Sequence, residues 1–226
     1  MPLVEVALDV RVQGALSVGG LGGEAPLADR HVVRDAWGRL LLPGSHVKGR
    51  MRHACEQVAR TLGLPACRAP HAAAMCPRDP AVTAPPCAVC ALFGSPAWPS
   101  PLRWADLPCA DEPPTSDGTS PPLPPALRAG IALNRRRGTA ETGRLFFLET
   151  SPPLPSGGLR FAHERAIAGR LADAAPLQLL IAGCRLLTSF GSGETRGLGW
   201  SAVTAEARLD GAPVAFAPEQ LAAERA

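Results

Sequence analysis

Prolines divide this chain. Sixteen of its 25 prolines fall between Pro65 and Pro125. Each fixes φ and removes a backbone donor, so no continuous helix or central strand crosses that stretch. A core must therefore come from the flanks, residues 1–64 and 129–210, with the middle inserted between them and 211–226 as a C-terminal tail. The 226 residues are ample for such a core.

The flanks carry strand and helix periods. Residues 3–13 alternate as a strand, and a glycine-rich loop runs from Gly14 to Gly23. Val32-Val33, a turn at Asp35–Gly38 and a strand at Leu40–Leu42 lead into LLPGSHVKGRMRHAC. There Pro43-Gly44 is a turn signal and Ser45 stands as helix N-cap. Val47, Met51, Ala54, Val58 and Leu62 recur at helical spacing, and Gly63 stops the helix. In the second flank Ile131–Leu133, Leu145–Glu149 and Leu159–His163 read as strands, with the basic tip NRRRGTAETGR after the first. Pro176 opens a helix with Leu177, Leu180, Ile181, Cys184 and Leu187 on one face, and a last strand covers Trp200–Leu209. Strand, helix, strands, helix, strand is the split βαβ order. The expected class is α+β, with an RRM-like or ferredoxin-like core.

The first helix begins with the wrong charge. Lys48, Arg50 and Arg52 occupy its first two turns, where cations oppose the macrodipole at a cost of roughly 0.3–1 kcal/mol each. Free N–H groups, a glycine turn and misplaced cations together make an anion site, most simply for phosphate, with Ser45 and His46 beside it. A solvated basic helix with a poor start accounts for the same residues.

The inserted middle has two parts: a cysteine-bearing stretch over about 65–105 and a proline-rich arm over about 106–128. No run approaches the ~18 apolar residues of a membrane span, and MPLVEVALDV is a strand pattern and not a signal peptide, so a cytoplasmic protein without membrane attachment is expected. In that compartment seven cysteines point to metal before disulfide. Cys87-Ala-Val-Cys90 suits two thiolates on one tetrahedral ion. Cys76 and His53 are the expected third and fourth ligands of a structural zinc, Cys67 and His71 compete for those roles, and Cys55 reads as a small buried hydrophobe. Pro86-Cys87-x-x-Cys90 also matches half of a zinc-deaminase signature, but its H-x-E half is missing: Glu56 lies one position too far from His53. The glycine loop GSGETRGLG is neither a P-loop nor a dinucleotide fingerprint, since it follows a helix and precedes a strand. Net charge is only +3, with ten Phe and Trp and no Tyr. Nucleic-acid binding would then rest on local basic clusters and not on stacking platforms.

Four segments together resemble the RAMP superfamily, specifically the repeating backbone subunit of type III CRISPR effector complexes. LLPGSHVKGRMRH is similar to its "PGSSLKG-x-x-R" segment, CAVCALFGS to its "C-x-x-C-x-LFG" knuckle, GIALNRRRGTAETGRLFFLE to a strand pair, and GSGETRGLGW to its "G-G-x-x-S-RG-x-G" loop. The matches occur in family order. His46 and Thr195 replace serines of the pattern, and Arg135 stands near its usual Asp-Arg pair. The resemblance implies an RRM-like core with a zinc-bearing insertion and a thumb hairpin, which maps to the arm at about 106–128. It implies a guide RNA held by its backbone, target RNA selected by base pairing, and neighbours that are copies, sibling RAMP subunits or other type III effector subunits. Phosphate contacts are expected from Lys48, Arg50, Arg52, Arg135, Arg136, Arg137 and Arg196. DRHVVRD resembles the loop that carries the family's endoribonuclease aspartate, which makes Asp29 the expected catalytic residue, with Asp35 as the second Asp of that pattern; the alternative is a solvated Asp29 in a catalytically silent RNA-binding scaffold. A divalent cation, magnesium or manganese, would assist cleavage.

Overall fold

The structure, a computed structural model, describes residues 1–20, 28–68, 71, 75–76, 86–112, 123–152, 158–171 and 176–223. In chain order its elements are β1 (Leu3–Val12), β2 (Gly19–Gly20), β3 (His31–Val32), β4 (Leu41–Leu42), α1 (Gly44–Thr61), α2 (Ala88–Phe93), β5 (Leu102–Trp104), β6 (Leu107–Pro108), β7 (Ala126–Asn134), β8 (Thr139–Thr150), β9 (Leu159–Arg170), α3 (Pro176–Arg185), β10 (Ser201–Leu209), β11 (Ala212–Val214) and α4 (Pro218–Ala223).

β1 is the hub of the core. Val4, Val6, Leu8, Val10 and Val12 are buried, while Glu5, Ala7, Asp9 and Arg11 occupy the other face. This is the period-two pattern of a strand with one dry side. β1 lies between β10 and β9, and β5 and β11 extend the sheet to the order β11-β10-β1-β9-β5. Every neighbouring pair is antiparallel. With α1 and α3 as crossovers this is the ferredoxin-like arrangement expected from the order of elements. α1 buries Val47, Met51, Ala54, Cys55 and Ala59, and α3 is buried from Leu177 to Cys184. The two helices meet closely because position 183 is glycine; a Cβ there would collide with the Cys55 sulfur. Met51 and Phe161 are fully buried, so truncating either to alanine is expected to cost on the order of 2–5 kcal/mol.

The structure departs from the sequence reading at several places. β5 belongs to the central sheet although it lies within the stretch expected to be insertion, 65–105. It is a three-residue edge strand, short enough for flanking prolines to be tolerated. β6, also among the prolines, pairs with β4. β9 runs past His163 to Arg170, because a bulge opposite Val6 and Leu8 breaks its alternation and buries Ala166 and Ile167 in succession. The tail contributes β11 to the sheet and then α4.

Much of the expected thumb falls outside the described residues. Of the arm at 106–128, residues 113–122 lie outside those described, as does the loop end at 21–23. The described hairpin is β7 paired with β8, a separate two-stranded sheet with its turn at 135–138. Glu112 and Arg34 fasten the segment leading into it. The buried Glu112 carboxylate accepts the N–H groups of Leu40 and Leu123 and faces Arg34 Nη1 at 3.6 Å, and Arg34 Nη2 donates to the Leu123 carbonyl at 2.7 Å. Among the described residues no helix is long and apolar enough to cross a membrane.

Candidate nucleic-acid interface and metal centre

The start of α1 is closed by the chain itself. Pro43, with an extended backbone, is the N-cap; the expected cap, Ser45, is instead an exposed residue of the first turn and makes no capping bond. Gly44 N–H donates to Asp106 Oδ1 at 2.7 Å, and the N–H groups of His46 and Val47 both point to the Pro43 carbonyl at 2.9 and 3.0 Å. Asp106 supplies the negative charge that the first turn lacks, so the free anion site read from the sequence is largely filled. Glycine is required at 44 because a Cβ would strike the carbonyl oxygens of Trp104 and Ala105.

Two of the three helix cations are also engaged. Arg50 pairs with Glu194 at 2.7 Å and donates to Ser189 Oγ at 2.7 Å. Arg52 pairs with Glu56 and turns toward the α2 segment. Lys48 is half-buried and makes no ion pair among the described residues.

The loop after α3 folds onto the chain that follows β1. Ser192 N–H donates to the Ser17 carbonyl and Gly199 N–H to that of Ala15, at 2.8 and 2.9 Å. A 3-10 turn, Glu194–Arg196, lies between Gly193 and Gly197, both with φ near +80°, a conformation that favours glycine. His46 pins this loop to α1: its Nε2 accepts the Gly191 N–H at 2.8 Å. Burial and the adjacent Arg50 lower the His46 pKa, against a smaller opposing effect of Glu194.

Two adjoining cavities that share Asp29, Arg30 and Ser192 together make a groove. It runs from Ser17–Gly19 and His46 past Asp29, Arg30 and Ser192 to Thr195, Arg196 and Phe146–Leu148. Asp29 is exposed and held against β8 at two points. Its N–H donates to the Phe147 carbonyl at 2.9 Å, and its Oδ2 accepts the Phe147 N–H at 2.7 Å. The next turn of the ladder is made by Glu149, buried, whose N–H donates to the Arg30 carbonyl and whose Oε2 accepts the Val32 N–H. Asp29 is the one carboxylate among the described residues lining the groove. Among the described residues lining the groove, no second acidic group stands by to share a divalent ion. Asp35, the other acid of that segment, organises the following turn by accepting from Trp37 and Arg39 and pairing with the Arg39 guanidinium.

β8 forms the far wall, with β7 paired to it. Phe146 lies over Gly130, where any Cβ would collide with its ring, and the Arg196 guanidinium sits 5.7 Å from the ring centroid. Leu127, Ile131, Leu145 and Phe147 are exposed along one face. At the tip, Asn134 Oδ1 accepts the N–H groups of Arg136 and Arg137. The side chains of Arg135, Arg136 and Arg137 are exposed, with no ion pair among the described residues. By contrast, the uncovered face of the central sheet is a mixed-charge surface: Arg160 pairs with Asp9 and Arg165 with Glu5, and β1 presents no aromatic there. Sequence reasoning missed Arg30, Ser192, Asp106 and Phe146; Arg30 stands next to Asp29, and Ser192 and Phe146 lie within segments singled out above, whereas Asp106 had no local signal.

The metal-ligating residues converge on Cys67, Cys76, Cys87 and Cys90, whose sulfurs all lie within 4.8 Å of one another. A tetrahedral zinc with Zn–S bonds of ~2.3 Å separates its sulfurs by about 3.8 Å. The Cys67 sulfur is 3.9 Å from that of Cys87 and 3.6 Å from that of Cys90. Backbone N–H groups of Cys76, Cys87 and Cys90 donate to the sulfurs of Cys67, Cys76 and Cys87. Against the cost of burial, such bonds hold the Cys87 thiol below its ordinary pKa, whereas burial and the nearby Cys87 push Cys90 up. The donor set fits a closed structural zinc, which would cross-link the insertion. His53 does not belong to it: the ring is exposed and faces Gln57 on its own helix at 3.3 Å, and Cys67 takes the place expected for it. His71 is likewise outside the cluster. Cys55 is buried with its thiol directed to the Leu179 carbonyl.

Compared with protein families, the chain matches the model of the RAMP superfamily over residues 15–202. No curated protein matches it.

Proposed function

Because the chain belongs to the RAMP superfamily, in general CRISPR-associated RNA-binding proteins with ribonucleases among them, we propose that it is a guide-RNA-binding backbone subunit of a type III CRISPR ribonucleoprotein. In this reading copies or sibling subunits stack along the guide RNA, other type III effector subunits complete the particle, and base-paired target RNA is cut beside Asp29. The observation that carries the reading is the groove itself: Asp29, Arg30, the glycine loop with Arg196, and the wall of β8 meet in one channel. Cations and backbone N–H groups bind phosphates without reading sequence. The thumb role passes to β7–β8, whose exposed apolar row suits a wedge between bases and whose arginine tip suits phosphates.

Cleavage would proceed by attack of a 2′-hydroxyl on its own phosphate, with the Asp29 carboxylate positioning the hydroxyl or a cation. Magnesium or manganese would have Asp29 as its protein ligand and the RNA for the rest. A silent scaffold is the second reading, favoured by the fact that Asp29 is the one carboxylate among the described residues lining the groove and already accepts the Phe147 N–H. Incubating the assembled complex with matched target RNA and magnesium decides between them. The first reading predicts cuts that leave 5′-hydroxyl and 2′,3′-cyclic phosphate ends and disappear in Asp29→Ala. Intact target with wild type means a scaffold, and a purified protein free of RNA that binds none when offered rejects both.

A further inference from the structure

Arg52 lies one turn beyond Lys48 on α1, away from the side on which Arg50 meets Ser189 and Glu194, and its guanidinium spans to the metal knuckle. Nε donates to Glu56 Oε1 at 3.1 Å, Nη1 to the Gly94 carbonyl at 3.0 Å, and Nη2 to Cys90 Sγ at 3.4 Å. Cys90 is in α2 and Gly94 is its C-cap. Gly94 has φ +77°, and a Cβ there would crowd Ser100 N at 2.6 Å and the Trp98 carbonyl at 2.9 Å. The carbonyl that Arg52 reaches is therefore fixed in direction by its surroundings. Glu56, which holds Arg52 from behind, also pairs with Arg60 at 3.0 Å, so the fork is oriented from both ends.

Four thiolates around a divalent ion carry excess negative charge, and burying that charge is unfavourable without a nearby cation. A guanidinium donating to one sulfur offsets it and holds that sulfur in place. Arginine's planar fork serves the carbonyl and the sulfur together, which a lysine ammonium does not. From this geometry we infer that Arg52 is a positioning residue of the metal centre and not an RNA ligand. It tunes metal retention through Cys90 and ties α1, on which the groove residue His46 sits, to the knuckle. The inference rests on the four cysteines holding zinc and is independent of the RNA reading.

The test uses full-length zinc-loaded protein and a chromogenic zinc chelator. Arg52→Gln is expected to release zinc about tenfold faster than wild type, within the range typical for loss of an outer-shell partner, and its cysteines to react faster with a thiol reagent. Arg52→Lys falls between the two, and Lys48→Ala releases zinc at the wild-type rate. With zinc saturating, Arg52→Gln is expected to keep the wild-type salt dependence of polyuridylate binding. Zinc release at the wild-type rate overturns the inference, as does a salt slope shallower by ~0.7, the value of one lost phosphate contact. So does a wild-type chain that takes up no zinc. If Arg52→Gln does not fold, Arg52→Lys decides by the same two readouts. If wild type binds no polyuridylate, the RNA reading fails and the zinc arm still judges Arg52.

Discussion

Asp29 and Phe147 are joined by a reciprocal pair of hydrogen bonds, backbone to backbone at 2.9 Å and carboxylate to backbone at 2.7 Å. The pair fixes an exposed acidic side chain to the strand whose preceding residue, Phe146, packs under Arg196. It also separates two roles for one residue. Asp29→Asn keeps an acceptor for the Phe147 N–H and loses the charge; Asp29→Ala loses both. Both variants should be inactive in target cleavage if the carboxylate is catalytic. Only Ala should unfold earlier, by about 1 kcal/mol or less, in a denaturant titration.

Glu112 should matter more for stability than any residue of the groove. Its buried carboxylate satisfies two backbone donors and faces Arg34. Glu112→Ala leaves these unpaired and should cost about 3–5 kcal/mol, with Glu112→Gln less harmful. Equilibrium urea unfolding measures both.

The pinning role of His46 gives a pH signature. Its folded-state pKa lies below the ordinary histidine value, so the unfolded chain takes up the proton first as pH falls. Stability should be full above ~6.5 and decline as pH drops below it, until the folded pKa is passed. His46→Gln can still accept from Gly191 without titrating. The difference in melting temperature between the two should narrow or reverse from pH 7.5 to pH 5.5.

Zinc content discriminates the ligand set. Cys67→Ser, Cys76→Ser, Cys87→Ser and Cys90→Ser should each lose most bound zinc, whereas His53→Ala and His71→Ala should retain about one ion per chain. Elemental analysis after gel filtration is sufficient. Full occupancy in Cys67→Ser would return His53 to consideration.

Much of this was legible in the residues. The alternation of β1, the helical spacing of Val47 to Leu62 and the knuckle at Cys87 and Cys90 are local patterns, and local patterns survive into the fold. What was hidden lies far apart in sequence or lacks a buried face. Asp106 caps Gly44 and Arg52 reaches Gly94, in each case across dozens of residues, so the cations looked free when two were not. β7 and β8 pair with each other and leave most side chains exposed, so no dry face marked their full length. Prolines concealed β5 and β6. The fourth sulfur came from Cys67, whose neighbourhood carries no knuckle spacing to announce it.

The path of the RNA is the central claim, and photocrosslinking traces it most directly. Single-stranded RNA carrying 4-thiouridine would be bound to the protein, irradiated and digested, and the crosslinked peptides identified. Crosslinks are predicted in residues 28–34, 144–148 and 190–198, with a further set at the 135–137 tip. Crosslinks concentrated instead on the uncovered sheet face, around Glu5, Arg165 and Arg208, would contradict the account.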